Sequence, residues 1–219
     1  MRLIDLSQPL FHECPNCPAH PLVSVEMALQ HGRGEDEWQL EIVSMASHTG
    51  SHLDAPLHKI PGALSIDQMP LETFVGAAYI ADLRGIAPDA EIDAEVLCAA
   101  LPEELNDAIV LLATGWGNRR ARSDEWLHHS PRLTSEGAQW LVEKRVRAIG
   151  IDHYSVGGSR EPANAQTHTV LLGAGMWIVE ELRFPDDVFE LPQPLQLWSL
   201  PINLQGQSGA WCRPVVVVE

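Results

Sequence analysis

Short apolar runs, separated by polar or Gly- and Pro-containing breaks, punctuate this chain. Two of them read as buried strands: Ala108 to Ala113, which is apolar and β-branched, and Ala148-Ile149-Gly150-Ile151-Asp152. Between them Thr134 is placed as the N-cap of a helix running to about Val146, with Trp140, Leu141 and Lys144 following at helical spacing. Strand, helix and strand over about 45 residues predict a crossover unit whose two strands are parallel. Glu41 to Ala46 and Ala77 to Leu83 predict further strands, the second closed by Arg84-Gly85, and Asp93 to Ala100 predicts a short helix ended before Pro102. Leu195 to Ile202 and Pro214 to Val218 read as strands, whereas Leu10 to Pro21, rich in Pro, Cys and His, reads as a loop. The class is mixed α/β. No repeat, low-complexity tract or Gly/Ser-rich linker divides the chain, so residues 1–219 are expected to form a single domain.

Charge narrows the partners. Against 14 Lys plus Arg stand 30 Asp plus Glu, a formal charge of −16. Such a surface repels a duplex or an anionic membrane unless it carries a local basic patch. Arg119, Arg120 and Arg122 are too small a cluster for that role, so nucleic acid is excluded as the main partner. The strongly apolar run Val215 to Val218 falls far short of the roughly 18 residues a membrane span needs. Met1-Arg2-Leu3-Ile4-Asp5-Leu6-Ser7 has no long apolar core followed by a cleavage site, so it does not read as a signal peptide, and a cytoplasmic location is expected. Cys14-Pro-Asn-Cys17 has CxxC spacing, but no second pair follows to complete a zinc site, and Pro15 and Pro18 argue for an irregular segment. Reduced thiols in a loop are expected there.

The densest chemistry lies in His48-Thr49-Gly50-Ser51-His52-Leu53-Asp54-Ala55-Pro56-Leu57-His58. Neutral imidazole together with carboxylate suits Zn²⁺, Mn²⁺ or Fe²⁺. Positions 48, 52, 54 and 58 are all even, so on an extended chain their side chains share one face. Four extended residues span about 13 Å, whereas two ligands of one metal lie within about 4 Å of each other. The segment must therefore curl between His48 and His52. Gly50 is best able to take the necessary dihedrals, and Pro56 supplies a second fixed bend before His58. A helix would also align 48 with 52, but Gly50 and Pro56 argue against it; a curled loop at a strand end is the expectation. A lone histidine in such a place would ordinarily be a surface or core residue with no metal. Three histidines and an aspartate on one parity favour the metal.

This segment resembles the HTGxHxDAPxH motif of the metal-dependent cyclase-like hydrolases, the family of the arylformamidases and isatin hydrolases. The resemblance extends through Asp5-Leu6-Ser7-Gln8-Pro9-Leu10, Thr114-Gly115-Trp116-Gly117 and Gly150-Ile151-Asp152. It continues from His168 through Leu171-Leu172-Gly173-Ala174-Gly175 to Val179-Glu180. It implies two divalent metal ions, Zn or Mn: His48, His52 and Asp54 would hold one, and Asp54 would bridge to a second held by His168 and Glu180. His58 matches the family's catalytic histidine, a proton shuttle. The implied fold is a swivelling β/β/α domain and the implied assembly a homodimer or homotetramer. From the residues alone, Met176-Trp177-Ile178-Val179 reads as an apolar strand leading to Glu180, while Glu180 beside Glu181 would ordinarily be a solvated pair.

The chain also departs from its relatives. Where formamidases carry an aromatic residue before a Pro-Gly turn, lining the substrate pocket, this sequence reads Cys17-Pro18-Ala19-His20-Pro21. That puts N-formylkynurenine in doubt as substrate. His12 and His20 are candidates for polar contacts there, with surface placement the expected default. Trp38, Trp116 and Trp177 are candidate pocket walls, with core packing the default. The expected activity is hydrolysis of a small-molecule amide by a metal-activated water. The same centre could serve an esterase, a lactonase or a cyclase, or bind metal without catalysis.

Overall fold

The structure, a computed structural model, describes residues 1–34 and 37–218. Its strands are β1 (Arg2–Asp5), β2 (Ser24–Leu29), β3 (Leu40–Ser44), β4 (His52–Asp54), β5 (Val75–Asp82), β6 (Glu91–Ile92), β7 (Ile109–Ala113), β8 (Arg132–Leu133), β9 (Ala148–Ile151), β10 (Trp177–Glu180), β11 (Leu195–Trp198), β12 (Gly209–Trp211) and β13 (Val215–Val218). Its α-helices are α1 (Ala94–Ala100), α2 (Asp124–His128), α3 (Ser135–Glu143) and α4 (Ala163–Gly173). Nine strands make one sheet in the order β1-β13-β11-β5-β7-β9-β10-β4-β12. The central four, β5, β7, β9 and β10, are parallel, and the strands on either side of them pair antiparallel.

Burial on both faces explains the unbroken apolar runs of the central strands. Along β7, Ile109, Leu111 and Ala113 enter one core while Val110 and Leu112 enter another on the opposite face. The second core is closed by the apolar sides of α1, α3 and α4, through Leu97, Leu141, Leu171 and Leu172. Both predicted helices start where their caps sit: Val96 N donates to Asp93 Oδ1 (3.0 Å), and Gly137 N to Thr134 Oγ1 (3.0 Å). The crossover expected around α3 joins β7 to β9, which are parallel. That helix stops at Glu143 rather than near Val146. Arg145 turns left-handed (φ 58°), and Val146 N closes back on Leu141 O at 3.1 Å.

The first core depends on the sheet curling. Laid flat, nine strands about 4.8 Å apart would separate β1 from β12 by about 38 Å. Instead, the chain leaving β1 meets the other end of the sheet. Ser7 forms a β-bridge with Leu182, just past β10, and Gln8 N donates to Ser51 Oγ (2.8 Å), just before β4. Ile4 and Val216 from one end thus share a core with Leu53 and Ala210 from the other. The predicted strand at Glu41 to Ala46 is β3, but it pairs only with β2, in a separate ribbon whose Leu40, Ile42 and Val43 are exposed. Residues 10–21 form turns without a strand or helix, as expected of that loop. Among the described residues, no helix is long and apolar enough to cross a membrane.

Candidate metal centre

Strand alternation builds the floor of the site. In the antiparallel pair β4/β10, His52 lies opposite Glu180, and Asp54 opposite Ile178. Leu53 and Val179 fill the first core, so His52, Asp54 and Glu180 point to the face covered by the helices. There α4 brings in His168, on the buried helical side that also carries Thr167, Leu171 and Leu172. Only 52 and 54 of the four even positions lie on a strand; 48 and 58 arrive by turns. Gly50 takes the left-handed φ of +70° that the expected curl requires, and a Cβ there would come within 2.5 Å of Leu10 Cδ2. Pro56 opens the 3₁₀ turn Pro56–His58, which sets the His58 ring 4.0 Å from that of His48 and 6.0 Å from that of His168.

All six candidate residues therefore meet. His52 Nε2 is 3.4 Å from Asp54 Oδ1 and 3.5 Å from Glu180 Oε2. His168 Nε2 is 3.5 Å from Glu180 Oε1 and 3.8 Å from Asp54 Oδ2. Each carboxylate thus presents one oxygen to each imidazole, so Glu180 is placed as symmetrically as Asp54. His48 Nδ1 lies 2.6 Å from Asp54 Oδ1, and its Nε2 is 2.9 Å from Ser208 Oγ.

This arrangement fits divalent cations. Ligand atoms about 2.1 Å from one tetrahedral cation lie about 3.4 Å from each other. The distances around His52 match that value and are too long for good hydrogen bonds. Asp54 Oδ2 is buried and has no hydrogen-bond partner among the described residues. The outer nitrogens are already fixed: His52 Nδ1 donates to Gly50 O (2.7 Å) and His168 Nδ1 to Asn164 O (2.9 Å), leaving both Nε2 atoms aimed at the carboxylates. Burial works against protonating these imidazoles. Even so, Asp54 and Glu180 push His52 up to about 9, and Glu180 and Asp54 do the same to His168. Burial would raise the Asp54 carboxyl, yet the neighbouring imidazoles, His48 foremost, hold it well below the usual carboxylate range. The cluster calls for positive charge, supplied either by protons or by cations.

A pH dependence follows. Both imidazoles titrate near 6.5 when unperturbed and near 9 here. In metal-free protein their stabilisation is complete below pH 6.5 and is lost as the pH rises through about 9. A cation displaces the same protons, so Mn²⁺ affinity is expected to rise by up to about tenfold per pH unit for each proton released across that window. Calorimetric titration in two buffers of different ionisation enthalpy measures the release. An affinity flat between pH 6.5 and 9 would contradict it.

Several supports were not visible in the motif. Glu181 is no solvated neighbour: it is buried, and its Oε2 lies 2.7 Å from Arg120 Nη2. Gly50 N donates to Glu181 Oε1 (3.3 Å) and Ser51 Oγ to Glu181 O (2.7 Å), so this ion pair braces the turn between His48 and His52. Gly209 in β12 leaves room for His48, whose Cε1 would lie 2.5 Å from a Cβ there. Asp152 Oδ1 accepts from Thr114 N (3.1 Å) and Thr114 Oγ1 (2.6 Å), joining the ends of β7 and β9 and explaining two of the shorter motif fragments. His20, expected at the surface, lines the cavity over the cluster together with Cys17, while His12 is exposed. Trp116 and Trp177 are core residues and Trp38 is 73% exposed; none of the three lines that cavity.

A buried carboxylate–imidazole centre near one end of a curled α/β sheet, with donors spaced as a divalent cation would require, is the class of site that fold and geometry define. The Cyclase family model matches residues 4–157, and the chain belongs to that family. Kynurenine formamidase of Erythrobacter litoralis is 29% identical over 215 residues, covering 98% of this chain and 93% of that protein. Kynurenine formamidase of Bordetella petrii is 31% identical over 183 residues, covering 80% and 78%. Isatin hydrolase A from Ralstonia solanacearum superposes with a TM-score of 0.86 at 26% identity, covering 100% of this chain and 92% of that one.

Proposed function

We propose that this protein is a metal-dependent hydrolase of C–N bonds in small-molecule amides. The observation that carries the reading is the shared placement of Asp54 and Glu180 between the Nε2 atoms of His52 and His168, with His58 beside them. His48, His52 and Asp54 would hold one cation, with Asp54 bridging to a second held by His168 and Glu180; the geometry gives Glu180 an equal opportunity to bridge. Zn²⁺ or Mn²⁺ suits this nitrogen and oxygen donor set. When bound, the ions lower the pKa of a water towards neutrality and polarise a carbonyl oxygen.

His58 supplies the proton transfer. Loss of solvation is the main cause that pushes it down, to about 4; the imidazoles of His48, His168 and His52 add to this against the pull of Asp54. It is therefore unprotonated at neutral pH and a weak base, which would take a proton only from a water that the cations have acidified. Its conjugate acid is strong enough to hand that proton to the departing nitrogen, which cannot leave as an amide anion. His58→Ala is expected to keep its metal, measured by elemental analysis, and to lose about 10²- to 10⁴-fold in kcat. Loss of metal along with activity would make His58 a ligand, a role its grouping with His48 and Asp54 would permit. The same reading takes residues 1–219 as one catalytic domain in a cytoplasmic homodimer or homotetramer. The exposed apolar side chains of the β2/β3 ribbon support self-association, and light scattering of purified protein would test it.

A further inference from the structure

Resting on that hydrolase reading, we infer that the substrate is a small, uncharged amide carrying a further N–H donor, of the cyclic ureide class, rather than an aryl amide. The cavity over the cluster holds about 280 Å³, at the small end for a ligand site. No Phe, Trp, Lys or Arg lines it among the described residues. Tyr154 is the one phenolic ring in the lining among the described residues, and outside the imidazoles of the cluster no guanidinium or ammonium stands there to meet a substrate carboxylate, which Glu161 would repel. The segment Cys17-Pro18-Ala19-His20, which carries no Phe, Tyr or Trp, is part of this wall.

The polar wall has a direction. Ser155 Oγ donates to Asn164 Oδ1 (2.7 Å), Ser159 Oγ donates to His128 O (3.0 Å), and Tyr154 OH donates to Leu127 O. Tyr154 and Ser159 are also hydrogen-bonded to each other. A hydroxyl has one proton and two lone pairs, so the protons of these three groups are taken up within the protein and what they offer a ligand is acceptor capacity. Glu161 adds a carboxylate, which accepts from Asn164 Nδ2 (3.2 Å) and Ala165 N (3.1 Å). Arg160, the basic residue of this loop, is turned away and paired with Asp89 at 2.8 Å. The imidazoles of His20 and His128 can donate or accept, so the hydroxyls and the Glu161 carboxylate tip the wall towards acceptors, which a ligand rich in N–H groups complements. An aryl formamide brings one such group; a ureide ring brings two.

The test uses Mn²⁺-loaded protein with hydantoin and dihydrouracil set against formanilide and isatin. Ring opening of the ureides is expected at least about tenfold faster in kcat/KM than hydrolysis of either aryl compound. Calorimetry on metal-free protein is expected to show hydantoin binding more tightly than formanilide. Ser159→Ala is expected to raise KM for hydantoin about tenfold, the loss of one good hydrogen bond, with kcat within about twofold. Faster turnover of formanilide or isatin would overturn this inference while leaving the hydrolase reading in place. An unchanged KM in Ser159→Ala would remove the acceptor wall from the argument and overturn it as well. No turnover of any of the four compounds by loaded protein would overturn both readings together.

Discussion

Asp54→Ala is expected to lose at least one of two bound ions and to lower kcat/KM by about 10³-fold or more, an effect larger than that of any histidine ligand and matched only by Glu180, which is placed as symmetrically. The reason is positional. Asp54 is buried, its Oδ1 lies 2.6 Å from His48 Nδ1 and 3.4 Å from His52 Nε2, and its Oδ2 faces His168 Nε2 at 3.8 Å. Removing it takes a donor atom from both halves of the centre. A change at His48 or His168 would take a donor from one half only. On the proposed reading, two ions acting jointly on water and carbonyl would account for several kcal/mol of transition-state stabilisation, and about 1.4 kcal/mol corresponds to each factor of ten in rate. Asp54→Asn tests charge apart from shape: it keeps the volume and one oxygen, and is expected to fold while binding less metal. Metal content is read by elemental analysis after dialysis, alongside activity with Mn²⁺ or Zn²⁺ restored. An Asp54→Ala protein holding two ions and working within tenfold of the parent would show that Glu180 alone bridges.

The same residues show how far sequence can be read. The motif from His48 to His58 was legible because the curl it needs is written in Gly50 and Pro56, and Gly50 does take a left-handed φ. Strands β7 and β9 were legible because burial on both faces demands an unbroken apolar run. Helix α3 was legible through its Thr134 cap. Helix α4 was not. It starts behind Pro162, which cannot cap it with a side chain, and carries the β-branched Thr167, Thr169 and Val170, so its start is poorly signalled and its propensity weak, although Gly175 turns left-handed just past its end. The placement of His168 therefore came from family resemblance; its spacing to Glu180 does not reveal that a helix and a strand converge. Strand β4 has three residues, two of them polar, too few for alternation to register. His20 and Glu181 look like surface residues because nothing local in the chain shows that distant segments fold over them.

Arg120→Met is expected to destabilise the metal-free protein by about 3–5 kcal/mol, because it strands a carboxylate that has no route to water. The side chains of Arg120 and Glu181 are 6% and 1% exposed, so screening by solvent does little to soften the loss. Burial already raises the Glu181 carboxyl, with Arg120 the main group pulling it back. Without Arg120 that pull disappears, and the folded protein holds the Glu181 proton to higher pH than the unfolded chain does. The deficit should therefore be smallest below about pH 4.5, where Glu181 is protonated in both states, and should grow as the pH rises above it. Urea unfolding at two pH values measures this directly. Glu181→Gln added to Arg120→Met should recover a large part of the loss, since it removes the unpaired charge and keeps the contacts to Gly50 N and Ser51 Oγ within reach. The single variant should also bind Mn²⁺ more weakly although Arg120 touches no candidate ligand, because the turn that holds His48 towards His52 leans on Glu181. A loss below about 1 kcal/mol, in the range of exposed ion pairs, would show that the pair opens to solvent and does not brace the turn.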